Sequence, residues 1–214
     1  WFRPPARAES GLIFHVHGGA FVAGSSLAAR AHSRMARCLG AELVSVDYRL
    51  APEHPFPAGL DDVWAVYSEV ARDRPTVIIG ESAGGGLAMS LVRRVIDRGG
   101  DAPKGLVAMF PWADLTNSSD SFVRNEHLDM LSRKGLSRSA MAYAGGQDLR
   151  DPLVSPLYGS FVDFPPHIDR RRHPRLFARR LPLRLDTHVR RRGGRRHTRR
   201  DSRRVPRFHP DACA

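Results

Sequence analysis

The 214-residue chain has no run of eighteen uninterrupted apolar residues, so the sequence offers nothing to span a membrane. Its two cysteines, Cys38 and Cys213, are too few for a framework of disulfides, and a reduced, cytoplasmic setting is the default expectation. No internal repeat is visible, and no charged-then-apolar leader follows Trp1. The most informative shortage is local. Residues 169–214 contain no lysine, glutamate, glutamine, asparagine, isoleucine, methionine, tryptophan or tyrosine, yet hold 17 arginines.

That segment also accounts for the net charge. A charge of +12 points first to nucleic acid, but residues 1–168 carry 17 basic against 18 acidic side chains, and residues 169–214 carry 17 against 4. The body is nearly neutral, so no specific nucleic-acid partner is expected. A boundary falls near Phe164-Pro165-Pro166. It divides a globular body, residues 1–168, from an arginine-rich tail, residues 169–214, expected to be disordered.

The body alternates apolar runs with helical patterns. "GLIFHV" at 11–16, "AELVSVDYRL" at 41–50, "TVIIG" at 76–80 and "GLVAMF" at 105–110 read as buried strands. Between them, residues 25–40 predict a helix with Ser25 or Ser26 as its cap and Leu27, Met35 and Leu39 near one face. Residues 59–72 predict a second. A third follows Ser82, stacks Leu87, Leu91 and Val95 at i, i+4 spacing, and stops at Gly99-Gly100. Strands buried on both faces and alternating with helices imply a doubly wound, mostly parallel sheet.

Two loops carry chemistry. Gly80-Glu81-Ser82-Ala83-Gly84 lies where a strand gives way to a helix, and small flanking residues allow a bend tight enough to present the hydroxyl of Ser82. The amide of Ala83, at the head of that helix, suits a developing oxyanion. A plain helix cap with packing glycines is the competing reading. Upstream, "HVHGGAF" at 15–21 follows the first strand, and its glycines leave main-chain amides uncovered at Gly18, Gly19 and Ala20. Asp47, Arg49, Glu53 and His54 in "DYRLAPEH" and Asp114 in "PWADLT" are expected to fix loops. His15 reads as a hydrogen-bonded core residue, and His17 as a brace for the glycine loop.

The segments "HGGAF", "DYRLAPEHPFPAGLDD", "GESAGGGLA", "PWADLT" and "DPLVSPLY" together resemble the α/β-hydrolase esterases related to hormone-sensitive lipase, over residues 11–166. The resemblance implies an α/β-hydrolase fold, no metal or organic cofactor, and hydrolysis of small carboxylic esters with short to medium acyl groups through an acyl-serine at Ser82. It sets Ala20 where a third glycine is usual. It also makes residues 121–150 a lid in which Phe122, Met130 and Tyr143 line an acyl pocket. The chain begins at what resembles the family's third strand, so the sheet is expected to be incomplete at both ends.

The family's triad continues with an acid and then a histidine on later loops. The resemblance predicts a strand straight after "FVDFPP", but no apolar strand can be drawn through the arginine-rich text. His209 falls roughly where the histidine belongs and is the candidate base of the chain as written. A shifted reading frame explains the composition better. One base later, permitted codons give Thr-Gly-Gly-Asp-Thr over residues 169–173, Leu-Asp-Asp-Ser over 178–182, Gly-Val-Asp-Val-Thr-Leu-Asp-Val over 193–200 and His-Val-Phe over 206–209. A base lost or gained near codons 165–168 would leave the intended acid and base encoded but untranslated, and the enzyme impaired. The alternatives are a catalytically dead binding module and a hydrolase relic with a polyanion-binding tail.

Overall fold

The structure, a computed structural model, describes residues 1–4, 11–125 and 130–170. Five strands form one sheet: β1 (Leu12–Val16), β2 (Glu42–Val46), β3 (Thr76–Glu81), β4 (Gly105–Met109) and β5 (His167–Arg170). Their spatial order is β2-β1-β3-β4-β5, with every neighbouring pair parallel. A single antiparallel bridge from Phe2 to Leu43 adds to the β2 edge.

The chain moves outward from β1 to β2 and then returns to the other side of β1 for β3. The direction of winding therefore reverses between β1 and β3. Loops leaving the carboxyl ends of strands at such a switch point diverge and open a crevice. "HGG" follows β1 and Ser82 follows β3, so the topology brings the two loops together.

Alternation along the strands sorts the core into two layers. Leu12, Phe14 and Val16 of β1 and Ile78 of β3 join a large cluster with Leu60, Val63 and Tyr67 of α2 (Ala58–Val70) and Leu87, Leu91 and Val95 of α3 (Ala83–Asp97). Ile13, Leu43 and Ile79 face the opposite side and pack with Ala36 of α1 (Arg30–Leu39). Helix α3 ends as its sequence implies: Gly99 takes φ +67°, and the Gly100 amide donates back to the Val95 carbonyl at 2.9 Å.

Three expectations need correction. The predicted helix over 25–40 is a 3-10 turn at Ser26–Ala29 followed by α1, and the tighter winding shifts the phase of the later residues. Leu27 and Leu39 are exposed, and Ala36 is the buried residue of α1. Residues 167–170, where no apolar strand could be drawn, form β5, with Ile168 opposite Val107 of β4. Pairing at a sheet edge is made by the main chain, so an apolar pattern is not required. Strand β5 continues through the boundary placed at 168. Residues 171–214, including His209 and every shifted-frame segment except the first two residues of 169–173, lie outside the described residues.

Candidate active site

Ser82 stands alone between β3 and α3 with φ 53° and ψ −122°. Non-glycine residues avoid positive φ, and such a conformation costs about 1–3 kcal/mol unless its surroundings enforce it. Here they do. The Ser82 amide donates to Met109 O at 3.0 Å, while its carbonyl accepts from Gly85 N at 3.0 Å, Gly86 N at 3.2 Å and Trp112 N at 2.9 Å. The bend is pinned from the β4 side and from within α3. The side chain makes no capping bond to α3, which removes the helix-cap reading. Among the described residues, no hydrogen bond occupies its hydroxyl.

The glycines flanking Ser82 are there because of close backbone approach. A Cβ on Gly80 would sit 2.3 Å from Gly84 O, and one on Gly84 would sit 2.2 Å from Val16 O and 2.3 Å from His17 O. Helix α3 therefore starts directly against the end of β1. The "HGG" loop meets the serine from the same direction: a Cβ on Gly18 would lie 3.2 Å from the Cβ of Ser82.

This loop takes positive φ at three successive residues, two of them not glycine. Gly19, Ala20 and Phe21 have φ of 118°, 54° and 65°. Val22 N and Ala23 N both donate to Gly19 O, closing the turn, and Ala51 N donates to Phe21 O at 2.9 Å. Phe21 is buried, with its ring stacked 3.8 Å from that of Tyr143 on α5 (Arg133–Ala144) and 5.7 Å from Trp112. This aromatic anchor lets two non-glycine residues keep positive φ.

Of the four proposed amide donors, one is already committed. Gly18 N donates to Glu81 Oε1 at 3.1 Å, so Gly18 is corrected from an oxyanion donor to a brace. Among the described residues no hydrogen bond engages the amides of Gly19, Ala20 or Ala83. Glu81, which the sequence reading passed over, is tied on its other oxygen to His15 Nε2 at 2.9 Å, while His15 Nδ1 meets Ser45 Oγ at 2.8 Å. Burial pushes the Glu81 carboxyl up, but the His15 hydrogen bond, the charge of that ring and the Gly18 N–H outweigh it and hold the group below its ordinary range. The shared face follows from the strand register: His15 is opposite Ile79, so the polar residue two positions after Ile79 lies on the same face.

His17 braces the loop, as its position suggested. Its Nδ1–H donates to Gly18 O at 2.7 Å, its ring stacks 4.2 Å from Tyr48, and Tyr48 Oη donates to His17 O at 2.8 Å. Burial holds the imidazole below its usual pKa. Asp47, Arg49 and Asp114, three of the polar residues discounted as catalysts, fix loops. Asp47 accepts from Ser26 N and Oγ, Arg49 makes a bidentate pair with Asp62, and Asp114 accepts from Thr116, Ser118 and Tyr158.

In the lid segment, α4 (Asp120–Arg124) and α5 flank residues 126–129, which lie outside the described residues. Phe122 and Tyr143 are buried, whereas Met130 is 95% exposed and is corrected from the pocket-lining set. Its neighbour Leu131 is exposed as well.

A family model described as the alpha/beta hydrolase fold matches residues 13–168, which is most of the chain. The chain belongs to the alpha/beta hydrolase fold family. Among the relatives of this hydrolase-fold chain, an acetyl-hydrolase of Streptomyces hygroscopicus is 33% identical over 172 residues, covering 78% of this chain and 57% of the relative. An esterase of Acinetobacter venetianus is 35% identical over 162 residues, covering 72% and 54%. Hormone-sensitive lipase of Homo sapiens is 32% identical over 158 residues, covering 69% and 15%. Among solved structures, an esterase from the bacterial hormone-sensitive lipase family superposes with a TM-score of 0.73 at 33% identity, covering 77% of this chain and 58% of that one. The chain thus spans little more than half the length of the bacterial relatives it matches. No helix of the described residues is long and apolar enough to cross a membrane.

Proposed function

We propose that this chain carries the nucleophile half of a serine carboxylic ester hydrolase for small esters with short to medium acyl groups. Ser82 Oγ attacks the acyl carbon, its proton passes to a base, and the alcohol leaves with a proton returned from that base. Water then cleaves the acyl-serine to release the acid. The main-chain N–H groups of Gly19, Ala20 and Ala83 receive the charge that develops on the carbonyl oxygen. Each such donor is typically worth about 3–4 kcal/mol of barrier. The observation that carries this reading is the strained, uncapped Ser82, with the "HGG" loop packed against its Cβ.

The base is the weak point. Both ring nitrogens of His15 are engaged, His17 Nδ1 is bound to Gly18 O, and His209 lies outside the described residues. Loss of the base from such a unit costs roughly a millionfold in turnover in a serine protease. The chain as translated is therefore expected to turn over p-nitrophenyl butyrate only weakly, and a gene restored to the shifted frame after codon 168 is expected to be far faster. In both, Ser82→Ala should abolish the protein-dependent rate. A restored protein whose hydrolysis survives Ser82→Ala would refute the assignment.

A further inference from the structure

The register that carries Glu81 gathers a second group of side chains on the α1 face of the sheet. His15 and Glu81 project side by side from β1 and β3, and His32 of α1 lies over them, its ring 4.7 Å from that of His15 and tilted by 40°. One ring nitrogen from each histidine and a carboxylate oxygen of Glu81 all lie within 4.8 Å of one another. His15 is fully buried and is oriented at Nδ1 by Ser45 Oγ. His32 Nδ1 is buried and has no hydrogen-bond partner among the described residues. Neither the esterase reading nor the packing of α1 uses that nitrogen.

We propose that His15, His32 and Glu81 form a binding site for a zinc-class divalent cation. Two imidazole nitrogens and one carboxylate oxygen are a donor set suited to zinc, with water in the fourth position, whereas magnesium and calcium favour oxygen alone. With zinc–ligand bonds of about 2.0–2.2 Å the three donors stand about 3.5 Å apart, so the His15 Nε2–Glu81 Oε2 pair opens from its 2.9 Å hydrogen bond while the His32 nitrogen draws in. His32 sits on a partly exposed helix and can make that adjustment. The cation takes the place of the proton between His15 Nε2 and Glu81 Oε2, and that proton moves to His15 Nδ1, where Ser45 Oγ accepts it. Ser45 then orients a metal ligand from behind, as outer-shell partners of histidine commonly do. Glu81 Oε1 remains on the Gly18 amide, so an ion bound here touches the carboxylate that braces the "HGG" loop.

The site does not depend on Ser82 chemistry, and its test reads binding alone. The full chain is titrated with Co2+, which reports low-coordinate nitrogen and oxygen ligation by intense visible bands, and with Zn2+ by calorimetry. The expected result is one site with those bands, and a melting temperature raised by Zn2+. His32→Ala, and His32→Gln as a second variant of similar size, should lose the bands, weaken that site at least about tenfold and melt independently of Zn2+. Weaker binding at other histidines would persist in all three proteins. A wild-type protein with no cobalt bands, or a variant that keeps the wild-type site, would overturn the proposal.

Discussion

Glu81 holds His15 Nε2 on one carboxylate oxygen at 2.9 Å and the Gly18 amide on the other at 3.1 Å. One side chain thus links a core strand to the loop that carries the proposed oxyanion donors, and it is the residue next to Ser82. Glu81→Ala leaves a buried imidazole and a main-chain N–H without an acceptor, at about 1–3 kcal/mol each. Urea unfolding should register that loss. Glu81→Gln keeps an acceptor for Gly18 and should lose less. In a frame-restored protein, Glu81→Ala should also lower kcat about tenfold to a hundredfold through misplacement of the loop, with KM little changed.

Ala20 occupies a left-handed conformation at φ 54°. An L-residue there costs roughly 1–2 kcal/mol, while glycine gives back up to about 1 kcal/mol through the freedom of the unfolded chain. Ala20→Gly is therefore expected to stabilise the protein by about 0.5 kcal/mol, seen as a small rise in melting temperature. A fall would mean that the Ala20 methyl packs more than it strains.

At Gly84 the sign is opposite. A Cβ there meets Val16 O at 2.2 Å and His17 O at 2.3 Å, and both are main-chain atoms that cannot rotate away. Gly84→Ala should cost about 3 kcal/mol or more, and circular dichroism melting should show either a large loss or no folded protein. At Gly146, where a Cβ has nothing within 4 Å despite φ +93°, alanine should cost only the backbone term of about 1–2 kcal/mol.

Hydrogen bonds from Ser26 N and Ser26 Oγ hold the Asp47 carboxyl below its ordinary value of 3.8. A carboxyl depressed in the folded state contributes stability that is present above the unfolded pKa and is lost as pH falls through the folded one. Melting temperature should thus drop on acidification below about pH 3.8, and Asp47→Asn should flatten that limb while lowering stability at neutral pH. An unchanged acid limb in the variant would contradict the role given to these two bonds.

The shifted-frame reading is settled by nucleotide sequence. The coding DNA read one base later after codon 168 should run open through codons 169–209 and spell the four segments in order. A stop codon within that stretch would end the idea.

Much of the architecture was readable in the linear pattern because it depends on local spacing. Leu87, Leu91 and Val95 mark the inner face of α3, and the glycines around Ser82 mark a bend. Features set by neighbouring strands were harder to read. That Gly18 N is taken by Glu81 follows from the register of β1 and β3, which no single segment encodes. The phase of α1 depends on where a 3-10 turn gives way to a helix, and both windings suit "SLAARAHS". β5 forms through main-chain pairing with β4, to which the apolar pattern of its own side chains is a poor guide.

Because the "HGG" and Ser82 loops leave adjacent parallel strands, β1 and β3, their separation is fixed by a hydrogen-bonded ladder, at an interstrand spacing of about 4.8 Å. Neither loop has to search for the other. Under the proposed esterase reading, with residues 120–150 as the proposed lid, exchanges of that segment between homologues would change which molecules are admitted and leave the strand-set spacing of the Ser82 and "HGG" loops as it is.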